Sequence, residues 1–349
     1  MSEERRGASV ADWIHKLAPI LVLIIVVVAG VILFRELRQH SLEQYRKALV
    51  QIHPWRMGFC VGLMVVNYIV LMGYDYIAVQ STGHPLPFRR IAFASFVGFA
   101  MSYNFGSLLG GGSVRYRFYS LWGLKPAEIV QLVMILGITF WFGVFGLAGV
   151  VFLLRPMDIA PELKIPAENT NSLAWMLIGM AVAYLLVSAL WKNVWKRPIH
   201  FWGREWSFPG FWMSFAQLGV AALDFLVAAA CFWVLFPAHL QVGYAEILGV
   251  YLLAIVAGVL THAPGGAGVF EAVIVATAPK EQQPAFLAAC VVFRVLYNWL
   301  PLLVAAPLYL LFERRVRQQA VANGLPAPNG TPAEQPGSKA VVAGSPDAD

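Results

Sequence analysis

Pro264-Gly265-Gly266-Ala267-Gly268-Val269-Phe270-Glu271 interrupts one apolar run of this chain, and Gly110-Gly111-Gly112-Ser113-Val114-Arg115 interrupts an earlier one. Gly112 and Gly268 superpose as the last glycine of each break, with Arg115 and Glu271 both three residues on. Broken hydrophobic segments at corresponding places in two halves of a chain point to a transporter site near the membrane midplane.

The rest of the composition places those breaks in a bilayer. Hydrophobic residues make up 59% of the 349 residues, charged residues 13%, and the mean hydropathy is +0.67. A soluble domain carries roughly 25% charge. The net charge of +6 does not imply nucleic acid, because the basic residues flank apolar spans, where they set topology and meet anionic headgroups. Cys60, Cys231 and Cys290 lie far apart in apolar stretches and read as buried thiols, with no metal spacing. No cofactor is implied. Walker A, H-E-x-x-H and G-x-S-x-G motifs are absent, so the chain is not expected to hydrolyse ATP or act as an enzyme.

Apolar runs fall near 18–34, 55–79, 91–109, 128–154, 172–191, 211–236, 244–261 and 285–312, with a half-length run at 269–278. The full runs suit helices crossing a hydrocarbon core of roughly 30 Å. Lone strands are excluded, since lipid leaves their backbone groups unpaired. Residues 18–34 lack a cleavage site and read as the first span, after a cytoplasmic segment 1–17 carrying Arg5, Arg6 and Lys16. Arg89 and Arg90, Lys192, Lys196, Arg197 and Arg204, and then Arg314, Arg315 and Arg317 mark further inside segments, so both termini are expected in the cytoplasm. Keeping Arg115, Arg117 and Lys125 inside requires 91–109 to dip in, turn at Gly110–Gly112 and return. The same logic makes 244–278 dip in from outside. The expectation is an all-α polytopic bundle of about six full crossings plus two re-entrant hairpins. An odd number of crossings per half makes it an inverted repeat, with halves 18–157 and 172–312. Residues 35–56 are basic yet fall outside. Leu42, Tyr45, Leu49 and Ile52 share a helical face, which reads as an interfacial helix on anionic headgroups, unless the first span is itself re-entrant. Residues 313–349 are basic and then rich in Ala, Pro and Gly, expected to be disordered.

Ionisable groups within membrane are costly and are functional candidates by default. Arg115 and Arg117 flank Tyr116, and guanidinium forks suit phosphate. Gly111 and Gly112 before them would let backbone amides approach a ligand, although two interfacial cytoplasmic arginines would read the same way. Glu271 stands in the first turn of the short helix after Gly265, Gly266 and Gly268. It is either a dipole-favoured cap or a carboxylate facing a cavity. Arg294, Tyr297 and Asn298 share one face of the last span, near Pro301. An Arg294–Glu271 bridge is as compatible with the sequence as a ligand contact. Asp75 and Asp224 read as proton sites or as partners of a neighbouring Tyr, Ser or Asn. His262, Ser102 and Asn104 sit beside the breaks and could line the same cavity.

Three motifs together resemble the transmembrane domain of lysylphosphatidylglycerol synthetase/flippase proteins, in particular its stand-alone members of the YbhN type. They are Gly111-Gly112-Ser113-Val114-Arg115-Tyr116-Arg117 with Gly123-Leu124, then Pro264–Glu271, then Arg294-Val295-Leu296-Tyr297 with Pro301. The resemblance implies a bacterial inner-membrane protein related to flippases that move an aminoacylated phosphatidylglycerol, with membrane phospholipids as partners. A homo-oligomer is compatible with it. The two-domain members carry a synthetase domain after the membrane part, and this sequence is too short to hold one, so lipid synthesis is not expected of it.

Overall fold

A computed structural model describes residues 42–154, 167–191, 199–201, 204–206, 209–261 and 263–323. The expected first span at 18–34, the segments 1–17 and 324–349, and His262 lie outside the described residues. The chain packs as two units, Met1–Ala305 and Ala306–Asp349. The architecture and sites below belong to the first unit. The described part of the second is the remainder of the last helix, which runs to Ala322.

The protein is an all-α polytopic membrane protein. Among the described residues five helices are long and apolar enough to cross a bilayer: Pro54–Thr82, Pro126–Leu154, Asn171–Leu190, Phe211–Trp233 and Lys280–Ala322. These coincide with five of the six crossings expected from hydropathy. Their outward faces are apolar too. On the first, Val65, Val66 and Ile69 are 51%, 47% and 60% exposed, which only a lipid environment accommodates over so many neighbours.

In chain order the helices are α1 (Leu42–Gln51), α2 (Pro54–Thr82), α3 (Phe88–Phe105), α4 (Ser113–Leu121), α5 (Pro126–Leu154), α6 (Ala167–Leu190), α7 (Phe211–Trp233), α8 (Tyr244–Leu260), α9 (Val269–Thr277), α10 (Gln283–Phe293) and α11 (Leu300–Ala322). Two wide π turns, Ser107–Gly112 and Arg294–Trp299, join α3 to α4 and α10 to α11. The second has a local cause: Pro301 lacks the N–H that would bond the Tyr297 carbonyl, and Leu300 N–H reaches back to Val295 instead.

Helices α2 and α7 run antiparallel against each other, with Gly73 at Val220 and Asn67 at Asp224. Small residues let α5 close on its neighbours. A methyl at Gly143 would overlap Ala221 of α7, and one at Gly149 would overlap Ile178 of α6. Between α6 and α7 the structure adds a short antiparallel pair absent from the sequence-based expectation, β1 (Ile199–Phe201) and β2 (Arg204–Trp206), with His200 opposite Glu205. It lies in the connection rather than in a span and pairs its own backbone, so the objection to lone strands in lipid does not apply.

The helix expected in this segment forms as α1, which packs on α10, but its buried positions differ: Ala48, and Ile52 just past its end, are buried, whereas Leu49 is exposed. Nearby, Arg56 donates to the carbonyls of Val234 (3.0 Å) and Phe236, just past the C-terminus of α7. That negative helix end gives at least one basic residue of this segment a protein partner rather than a lipid one.

Candidate functional site

Both glycine breaks fold as helical hairpins. In the first, α4 returns antiparallel along α3. Arg90 lies over Trp122 (5.8 Å), Phe93 against Phe118 (5.1 Å), Gly98 against Arg115 and Ser102 against Gly111. The reversal is not at Gly110–Gly112 as the sequence suggested. It occurs at Gly106, whose φ of 88° disfavours a side chain, and the glycine triplet lies in the returning arm. None of the three has positive φ. What they supply is room. A methyl at Gly110 would overlap the Met101 carbonyl. One at Gly111 would strike Ser102 and come within 2.9 Å of the Arg115 guanidinium, and Gly112 sits 3.3 Å from the Ser107 carbonyl by the same measure.

In the second hairpin α9 returns along α8, with Phe270 against Tyr251 (5.8 Å) and Gly266 against Gly258. Here the glycines are needed for conformation. Gly265, Gly266 and Gly268 have φ of 59°, 64° and 80°. The second returning arm is short, the nine residues of α9 giving about 13 Å of helix against a core of roughly 30 Å, whereas the first runs through the π turn Ser107–Gly112 into α4.

The charged residue after each break is paired. Arg115 is 3% exposed and meets Asp75 of α2 side-on, Nε to Oδ1 at 2.9 Å and Nη2 to Oδ2 at 2.8 Å. Tyr119 adds a third donor to Asp75 at 2.9 Å, and Phe99 lies under the guanidinium at 4.4 Å. The Asp75 carboxylate thereby accepts three bonds, and Gly98 and Gly111 lie so close to the Arg115 guanidinium that a methyl on either would come within 2.9 Å of it. Tyr116 is 49% exposed and Arg117 half-buried on the following turn, so the Arg–Tyr–Arg run splits between an interior ion pair and the surface.

Glu271 also receives a side-on guanidinium, that of Arg294, through Nε to Oε1 and Nη2 to Oε2 at 3.1 Å. Its Oε2 accepts the Gly268 N–H at 2.8 Å, so it caps α9 as well. Glu271 is therefore both a helix cap and the partner of Arg294. Arg294 sends Nη1 to the Gly265 carbonyl at 3.0 Å. This pair is less sealed, with side chains 16% and 9% exposed, against 4% and 0% for Arg115–Asp75.

The two tips touch. Asn104 at the end of α3 donates to the Ala100 and Asn298 carbonyls at 2.8 and 2.9 Å, and Asn298 donates back to the Tyr103 carbonyl. A methyl at Gly265 would lie 2.5 Å from that same carbonyl. Asn104, Gly265, Gly268, Glu271, Arg294 and Tyr297 thus form one neighbourhood. Arg115, Gly111 and Asp75 form another.

Of a third polar centre the sequence reading named only Asp224 and Tyr297. Midway along α7, Asp224 accepts from Asn67 Nδ2 at 2.8 Å and from the Tyr74 hydroxyl at 3.0 Å, and Asn67 Nδ2 also reaches the Tyr297 hydroxyl. A polar Asn67 amid Val65, Val66 and Ile69 was the available signal. Among the described residues no group of His, Cys, Asp and Glu is arranged to hold a metal.

The sequence matches a known membrane module. The profile of the lysylphosphatidylglycerol synthase TM region matches residues 20–305. The chain belongs to that family. Similar proteins include the uncharacterized protein slr0712 of Synechocystis sp., 32% identical over 81% of this chain and 89% of its own length. The inner membrane protein YbhN of Escherichia coli is 29% identical over 91% of this chain and 96% of its own length. The phosphatidylglycerol lysyltransferase of Staphylococcus haemolyticus is 23% identical over 81% of this chain but only 32% of its own length. The paired glycine breaks of this family member therefore sit in the part shared with that larger protein.

Proposed function

We propose that this protein is a phospholipid translocase of a bacterial inner membrane, moving an anionic or aminoacylated lipid related to phosphatidylglycerol. The observation that carries this reading is the meeting of the two broken hairpins at Asn104, Gly265 and Asn298, beside an incompletely sealed Arg294–Glu271 pair. Irregular backbone is tolerated at membrane depth where it lines a protein cavity, and such tips are where transporters bind cargo. The printed names of two relatives support the setting: one is an inner membrane protein, the other acts on phosphatidylglycerol.

In this reading the chain makes six crossings, and the hairpins enter from opposite faces as halves of an inverted repeat, with both termini cytoplasmic. The step that takes Gly112 to Gly268 takes Asn67 to Leu223, beside Asp224. Asn67 and Asp224 contact each other across the antiparallel α2–α7 pair, as residues near a pseudo-twofold axis must. Arg294 and Arg117 meet the headgroup phosphate, and Glu271 receives a headgroup amine when Arg294 swings to the phosphate. Arg115, held by Asp75, positions the first hairpin.

The test is headgroup translocation in vesicles containing phosphatidylglycerol or its lysyl ester. Arg294→Gln should lower the rate at least ten-fold while the protein stays folded. Wild-type rates in Arg294→Gln and Glu271→Gln would sink the site. Transport of soluble anions with no lipid movement would replace the lipid by a small solute.

A further inference from the structure

Among the described residues of the first unit Asp75, Glu128, Asp224 and Glu271 are buried carboxylates; Glu128 caps the start of α5, and Asp224 is unlike the rest. Asp75 and Glu271 each hold a guanidinium through two parallel bonds. Asp224 is 4% exposed, lies mid-helix in α7, and has no cationic partner among the described residues; its partners are the neutral Asn67 and Tyr74. An ionised carboxylate in such a place is costly to hold, and a neutral acid is cheap.

The groups around Asp224 suit both states. Asn67, Tyr68 and Tyr74 face it from α2, Tyr103 from α3, Tyr251 from α8 and Tyr297 from the π turn; Cys231 is on its own helix. α5 packs here through apolar rings, Phe140 on Phe225, and Tyr184 of α6 is engaged with Gln217 further along α7. Two buried atoms in this cluster have no partner among the described residues, Asn67 Oδ1 and the Tyr68 hydroxyl. The unpaired amide oxygen is informative. With Asp224 ionised, Asn67 presents its N–H₂ to Asp224 and Tyr297. With Asp224 protonated, the amide turned over presents Oδ1 to two donors, the new carboxyl O–H and the Tyr297 O–H. Each protonation state is then met by a complementary face of the amide, N–H₂ towards the ionised acid and Oδ1 towards the neutral one.

We propose that Asp224 takes up and releases one proton during transport, and that Asn67 reports its state to Tyr297. The carboxylate gains a proton from water at one face, becomes neutral, and returns it to water at the other. Tyr297 lies in the same π turn as Arg294 and Asn298, which hold the second and first hairpin tips respectively. The proton thereby biases an element that touches both tips. The coupling rests on the translocase reading; the protonation site does not.

Infrared difference spectra of the purified protein in nanodiscs should show a buried carboxylic acid band rising as the pH falls between about 9 and 5. Asp224→Asn should remove it. Tyr74→Phe, which deletes one donor to the carboxylate, should move its midpoint about ten-fold in proton concentration, towards higher pH. The Tyr74→Phe shift identifies the group even if Asp224→Asn fails to fold. No such band, or a band indifferent to both variants, overturns the site. In phosphatidylglycerol vesicles an imposed tenfold proton gradient should change the translocation rate several-fold in wild type and not in Asp224→Asn. Translocation indifferent to the gradient overturns the coupling and leaves the lipid reading intact. A titrating band without any translocation overturns the lipid reading, and the coupling with it, while the proton site stands.

Discussion

The two hairpins solve the same folding problem with opposite means. Each ends in a glycine-rich stretch followed after three residues by a charge, and each charge is met side-on by its opposite. In the first, Arg115 is carried by the hairpin and Asp75 by α2, the helix before it. In the second, Glu271 is carried by the hairpin and Arg294 by the π turn after it. The first pair is closed off by three donors and two glycines, whereas the second shares its carboxylate with a helix cap and stays partly open. The glycines differ in kind too: those of the first arm make space, those of the second make turns. A sealed pair serves structure, and an open one can exchange its partner for a ligand.

That contrast breaks most easily at Asp75. Asp75→Ala should leave the Arg115 guanidinium buried and unpaired, costing about 3–5 kcal/mol, and replacing both residues by apolar ones (Asp75→Leu with Arg115→Met) should restore at least half of it. Thermal unfolding in detergent checks both. If the single and double variants are equally damaged, the pair is not the structural element described here. Glycine substitutions come next. Gly111→Ala should cost about 1–3 kcal/mol by overpacking, and Gly112→Ala, with only the Ser107 carbonyl close by, clearly less. At Gly266, where space is open and φ is 64°, Asn should be tolerated better than Ala. Equal effects of Asn and Ala at Gly266 would remove the distinction between space and turn.

Glu271→Gln should change stability by about 1 kcal/mol or less, because Gln retains the capping box, yet should slow lipid translocation at least ten-fold. A large loss of stability with unaltered transport would make the second pair as structural as the first. The smallest effect is expected at Arg56→Gln, about 0.5–1 kcal/mol from the lost contacts at the C-terminus of α7, read as a shift in the same unfolding midpoint.

Much of this was legible in the sequence because length and hydropathy are local properties. Apolar runs at 55–79, 128–154 and 244–261 became helices within a few residues of those limits. Asp75, Arg115, Asp224, Glu271 and Arg294, flagged as costly, did turn out to be paired or bonded. What the sequence hid was partner choice. Asp75 lies forty residues from Arg115, and nothing in either segment announces that α2 and α4 bring them together. Gly106 was overlooked beside the more conspicuous triplet, although a single glycine suffices to reverse a helix. Asn67 was overlooked because one amide in an apolar helix has no periodic signature; only its neighbour Asp224 across the α2–α7 contact gives it meaning.

The π turn at Arg294–Trp299 has a consequence for everything after it. A π turn is an α-helix into which one residue has been inserted, so the chain beyond is rotated by about 100° from where an unbroken helix would carry it. That rotation puts Ala305 fully inside and leaves Leu303 and Val304 facing out, 71% and 50% exposed. A substitution that let the helix run straight at full length would carry Ala305 round by that angle, away from the interior. Deleting a single residue, Leu296, would instead remove the turn and keep every residue beyond it in phase, a change of length that no substitution can imitate.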